Sequence, residues 1–321
     1  SPAVAGFPER IYVPNSVSNT VDVIDPNTMQ IVDHFDVGTE PQHVVPSYDL
    51  TTLYVAADQG NSLTPIDPAT GAHGAPIAVE DPYNLYFTPD GQFAIVVAER
   101  LARLDFTDPH TFEIKASIAT GCAGVDHMDF SADGTYLIAS CEFSGEMVKV
   151  TLNAPGGPTL VGALPLDNPA KPQDVKLSPD GKVFYVADML AGGVWEIDGD
   201  SFSLIGFLPT GAGAHGLYVS RDSKDLYVSN RDAGSVSVVD LASRAVRITW
   251  ALPGGSSPDM GGVSADGRTL WLSGRSNSEV YAIDTTTGEL KGRIPVGEGP
   301  HGLCVYPQPG RFSLGHTGVF R

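Results

Sequence analysis

The sequence predicts an all-β fold, a seven-bladed β-propeller with four-stranded blades, on three observations. A short signature recurs seven times, β-forming runs alternate with turn residues between its copies, and the two chain ends carry complementary fragments of one further unit. The copies are Pro41-Gln42-His43, Pro82-Tyr83-Asn84, Val125-Asp126-His127, Pro172-Gln173-Asp174, Ala214-His215-Gly216, Pro258-Asp259-Met260 and Pro300-His301-Gly302. They lie roughly 41 to 47 residues apart, the length of one blade.

Each signature opens a short apolar first strand. In four blades an Asp-Gly pair follows (Asp90-Gly91, Asp133-Gly134, Asp180-Gly181, Asp266-Gly267), a strong hairpin signal because both residues tolerate positive φ. A second strand comes next, as in Leu53-Tyr54-Val55 or Leu226-Tyr227-Val228, and then a third that ends in aspartate, as in Val21-Asp22-Val23-Ile24-Asp25. The fourth is of the Arg293-Ile294-Pro295-Val296-Gly297 type, and no window carries a helical period. Ile11-Tyr12-Val13-Pro14-Asn15 is a second strand without its first, and Pro300 to Val305 is a first strand without the rest. Pairing the two closes the ring in one blade and leaves no open sheet edge. One domain over residues 1–321 is expected, with 308–321 as a tail that docks near the other end of the channel.

Hydrophobic residues make up 42% of the chain and charged residues 18%, enough for a large core. Asp+Glu number 38 against 19 Lys+Arg, a net charge of -19. That field serves solubility and attracts cations, and it argues against nucleic acid or anionic lipid as partner. No apolar run is long enough to span a bilayer. The small residues Ser1-Pro2-Ala3-Val4-Ala5-Gly6 lead us to expect an exported chain, secreted, periplasmic or cell-surface. Cys122, Cys141 and Cys304 form no CxxC pair. Cys122 and Cys141 bracket the hairpin turning at Ala132-Asp133-Gly134, so antiparallel pairing brings them within disulfide range, while Cys304 is expected as a buried thiol.

Tyr227-Val228-Ser229-Asn230, Gly234 to Asp240 and Ile294 to Gly302 resemble the YVTN repeat of the YncE-like propellers. Blades 3 and 4 depart from the pattern at Ala94 to Glu99 and Leu137 to Cys141, and no WD dipeptide occurs. The resemblance implies the fold. It leaves function open among binding scaffolds, lactonases and redox enzymes.

In a propeller the first strands line the central channel, so residues at their starts converge on one mouth, where a small molecule could bind. With eight histidines in 321 residues, chance would put fewer than one into two positions per blade, yet four stand there: His43, His127, His215 and His301. Asp259 and Asp174 accompany them as ligands or as partners orienting the ligands. The positions fall into two groups one residue apart, which in a regular strand would face opposite ways. Neutral imidazole with a carboxylate suits copper, zinc, iron or nickel, with copper favoured. The arrangement resembles the histidine-lined hubs of nitrous oxide reductase and thiocyanate dehydrogenase in architecture alone. The same imidazoles could instead hydrogen-bond neighbouring blades. His34, His73 and His110 are expected in solvent, and His316 in a structural tail.

No GxSxG, HExxH or Walker sequence is present. The sequence thus points to a monomeric exported propeller holding a transition metal, acting as a small-molecule oxidoreductase. The alternatives are a scaffold binding a protein or cell wall through rim loops, and a lactonase-like hydrolase.

Overall fold

The computed structural model describes residues 2–167 and 169–316. Apart from a single 3-10 turn at Pro2–Val4, regular structure among these residues is strand, arranged in seven four-stranded sheets that are the blades of a seven-bladed β-propeller. Six inner strands start on the first signature residue: Pro41–Pro46, Pro82–Phe87, Val125–Phe130, Pro172–Leu177, Ala214–Val219 and Pro258–Val263. Within a blade the inner strands are buried along their length, whereas outermost strands such as Gln30–Asp36 and Ala245–Ala251 each bury a single residue. By internal packing the chain divides into two compact units, one Ser1–Phe87 with Leu252–Arg321, the other Thr88–Ala251.

The first unit contains the predicted closure. Cys304–Tyr306 pairs antiparallel with Arg10–Asn15, matching Arg10 to Tyr306 and Tyr12 to Cys304, and Thr20–Asp25 and Gln30–Asp36 complete the sheet. Its two faces are packed. Tyr12, Val23 and Tyr306 meet Val44, Leu53 and Val55 on one side, while Ile11, Val13 and Val305 meet Trp271 and Val280 on the other. Burying each such side chain contributes about 1.5 to 3 kcal/mol, and the Tyr306 hydroxyl donates to the Leu50 carbonyl at 2.6 Å.

In the second unit, Ile138 and Met147 pack on Val175, Phe184 and Trp195, and Tyr185 and Val194 pack on Leu217, Leu226 and Val228. Carboxylates tie successive inner strands together. Asp129 Oδ2 accepts the Leu177 N–H at 2.7 Å, and Asp174 Oδ2 accepts that of Leu217 at 2.9 Å. Cys122 and Cys141 are disulfide-bonded with Cα atoms 6.0 Å apart, as the hairpin reading required, since Cys141 stands opposite Val125. Cys304 is a buried thiol.

The Asp-Gly hairpins differ from expectation in one respect. Only the glycine takes positive φ, for example 70° at Gly91 and 75° at Gly181. The aspartate works through its side chain: Asp90 Oδ1 accepts the Thr88 hydroxyl at 2.7 Å and the Gln92 N–H at 3.0 Å. The same turn forms at Ser47-Tyr48-Asp49 and Ser220-Arg221-Asp222 without glycine, with Leu50 and Ser223 at φ 70° and 60°. A hydroxyl two residues before an aspartate is therefore the general turn signal of this chain.

Candidate metal centre

Register explains how residues one place apart can share a role. Five inner strands carry a β-bulge next to their start: Pro41 faces Ala57 but His43 faces Ala56, and Pro258 faces Gly274 but Gly261 faces Leu272. The extra residue breaks the alternation of side chains. Both positions are consequently interior, with His43, Asp174 and Asp259 fully buried and His215 and His301 nearly so.

In the first unit His43 has the rings of both His301 and His316 beside it, and Asp259 stands beside His301. His43 sits at 0% exposure on Pro41–Pro46, and its Nδ1 lies 2.8 Å from the Tyr83 carbonyl. A carbonyl only accepts, so Nδ1 carries the proton and donates, and Nε2 is the basic nitrogen. Burial, assisted by Arg275, pushes the His43 pKa down to about 3 against the raising effect of the Tyr83 carbonyl. The ring is neutral at physiological pH.

His301 reaches His43 because the chain turns sharply before its last strand. Leu303 N–H donates to the His301 carbonyl at 2.7 Å, and Gly302 lies in a parallel bridge beside His43. The rings of His43 and His301 are 4.9 Å apart, and His301 Nε2 is 3.6 Å from Asp259 Oδ2. Gly302 is obligatory, since a Cβ there would overlap His43 and stand 2.9 Å from His316 Nε2.

His316 is the residue that sequence reasoning missed. The tail was expected at the other end of the channel. Instead Phe87 N–H donates to Leu314 O and Ser313 N–H to Tyr48 O, both at 2.9 Å, and Phe312 stacks on Tyr48 with centroids 4.9 Å apart. Gly315 bridges Tyr86 at φ 136°, a conformation that favours glycine. The turn delivers His316 to 4.1 Å from the His43 ring, with Asn84 Nδ2 3.4 Å from its Nδ1. The only available signal was a Phe-Ser-Leu-Gly run outside the repeat; residues 317–321 of the tail lie outside the described residues.

In the second unit His127 and His215 are buried at their strand starts. His127 N–H donates to Asp126 Oδ1, which also accepts the Ser140 hydroxyl. Asp174 commits both oxygens to backbone, Oδ1 to Val175 N–H and Oδ2 to Leu217 N–H, each at 2.9 Å. Burial raises its pKa to about 6 despite Lys176 and those donors, and raises that of Asp126 well above the usual carboxylate range. The remaining histidines, His34, His73 and His110, are exposed as expected; His34 Nδ1 is 2.6 Å from Asp22, and His73 stacks on Phe35 at 4.3 Å.

Fold and site together define a β-propeller with a buried histidine cluster at its inner-strand starts. The model of the YNCE-like beta-propeller family matches residues 3–310, and the chain belongs to that family. A 6-phosphogluconolactonase of Serratia proteamaculans is 26% identical over 244 residues, covering 68% of this chain and 73% of that one. Among solved structures, the periplasmic gluconolactonase of Pseudomonas aeruginosa superposes with a TM-score of 0.74 at 18% identity over 94% of this chain and 99% of that one. Hydrazine synthase of Kuenenia stuttgartiensis gives 0.73 at 19% over 87% and 92%. These two structural likenesses show the fold alone.

Proposed function

We propose that the chain holds a first-row transition-metal ion, copper favoured, at its buried histidines, with His43 and His316 as one pair of donors and His301 with Asp259 as the other. The observation that carries this is the Tyr83 carbonyl on His43 Nδ1, which leaves Nε2 as the basic nitrogen amid two further imidazoles. Buried neutral nitrogen donors select copper, zinc, iron or nickel over calcium and magnesium, and copper(II) heads the affinity order of divalent ions. When bound, the ion supplies Lewis acidity or, for copper, one-electron chemistry; an open coordination position would make the protein an oxidoreductase for a small molecule. His127 and His215, each in a buried group of possible ligands, remain candidates, and Asp174 accepts backbone N–H groups with both oxygens. The disulfide supports export to an oxidising compartment, and no helix among the described residues is long and apolar enough to cross a membrane.

Elemental analysis of untagged protein tests the reading, with copper and zinc titrations of chelator-treated material beside it. About one ion per chain is expected, with binding lost in His43→Ala. A second reading, lactone hydrolysis, is favoured by the Serratia relative. Turnover of 6-phosphogluconolactone that is equal in chelated and metal-loaded protein would favour that reading over the metal.

A further inference from the structure

We infer that the C-terminal tail is a metal-dependent strap: His316 is a ligand contributed from outside the propeller repeat, so metal binding and tail docking are one coupled equilibrium. The inference rests on the metal reading above and adds its regulation.

Three features point this way. The segment Phe312 to His316 lies outside the repeat and is seated by backbone hydrogen bonds to Tyr48 and Phe87, the Gly315–Tyr86 bridge, the Phe312–Tyr48 stack and the burial of Ser313 and Leu314. Arg311, at its root, is exposed. Its far end, by contrast, is fixed where an imidazole is useful: His316 is 1% exposed, its Nδ1 turned to Asn84, its Nε2 beside Gly302 and its ring against His43. A tail needed only to cover apolar surface would do so with Phe312 and Leu314, and a buried imidazole at its tip would add a desolvation cost. A metal bond on His316 offsets that cost. Linkage then requires reciprocity: whatever factor the docked tail adds to metal affinity, the metal adds to docking. Losing the ion would free the strap and open one side of the cluster, which gives the protein a means of taking up or releasing its metal.

The experiment uses trypsin, which can cut after Arg311 and release residues 312–321, a product identified by its mass. Metal-loaded and chelated parent are compared, and metal affinity is measured on the parent, His316→Ala and the bulkier His316→Gln. We expect copper or zinc to slow release of this peptide about tenfold or more, and both variants to bind metal about tenfold or more weakly and to lose the protection. The protease comparison on the parent stands even if a variant fails to fold. A parent that binds metal with no change in peptide release, or variants that keep parental affinity, would overturn the strap. A parent that binds neither copper nor zinc would overturn the metal reading itself.

Discussion

The inner-strand starts of the two units use the same backbone position for different ends. Around Pro41, Pro258 and Pro300 stand imidazoles and one carboxylate, with the Tyr83 carbonyl on His43 Nδ1 and Asp259 3.6 Å from His301 Nε2. Around Val125 and Pro172 carboxylates prevail, and Asp129 and Asp174 accept N–H groups of the following strand. A buried carboxylate that accepts two backbone donors is a structural clip, because removing it strands both donors in an apolar interior. A buried neutral imidazole that donates from Nδ1 to a carbonyl presents Nε2 as its basic nitrogen, the atom that binds a metal. What distinguishes a site from a staple here is the chemistry of the side chain that the backbone orients.

The widest separation should come from crossing one substitution in each region. Asp174→Ala should cost about 2 to 5 kcal/mol of stability through the stranded Val175 and Leu217 N–H groups while sparing metal affinity. His301→Ala should do the reverse, lowering metal affinity about 100-fold with a small change in melting temperature of the metal-free protein. Denaturant melts and metal titrations on both variants measure this. Equal stability loss with no metal phenotype in His301→Ala would make the histidines clips as well.

Acid should affect the two regions in opposite directions. The native His43 resists protonation down to about pH 3, below its ordinary 6.5, so its contribution is fully present above pH 6.5 and is lost as pH falls. Asp174 takes its proton near pH 6, above its ordinary 3.8, so its contribution is full below about pH 4 and is lost as pH rises through 6. Between pH 6 and 4, His43→Gln should therefore lose less stability on acidification than the parent, and Asp174→Asn should lack the parent's compensating gain of up to about 3 kcal/mol. Parallel profiles for the three proteins would contradict the assignment. This also sharpens the pH dependence of metal binding, because at His43 protons compete only near pH 3.

Breaking Cys122–Cys141 removes a constraint on a closed loop and should cost about 3 kcal/mol, with metal content unchanged, since the bond lies in the carboxylate region. Melting Cys122→Ser beside the parent under non-reducing conditions checks it. The smallest effect is expected at Ser223, an exposed non-glycine residue at φ 60°. Ser223→Gly should raise stability by about 0.5 to 1 kcal/mol by relieving the left-handed backbone, and a loss would refute the turn assignment.

Most of the architecture was readable because each blade repeats its own punctuation. Proline or a small residue opens the inner strand, a hydroxyl and an aspartate close the hairpin, and the split blade shows in the complementary ends. His43, His301 and Asp259 were readable for the same reason. His316 was not, since its position depends on pairing of Gly315 with Tyr86, a contact between segments that share no pattern. Nor could the sequence show the bulge beside Gln42, which depends on register against Leu53–Ala57 and decides that His43 faces the interior. Asp174 looked like a ligand because spacing records where a carboxylate stands but not which donors have already claimed it.

The central claim is that the buried histidines, with His43 and His316 as a donor pair, bind a transition metal. Its most direct measurement is the metal stoichiometry of untagged parent, chelated and then challenged with copper and zinc at low imidazole, by elemental analysis with His43→Ala as control. The account predicts about one tightly held ion per chain in the parent and none in the variant. A parent that retains neither metal, or a variant that binds as the parent does, would contradict it.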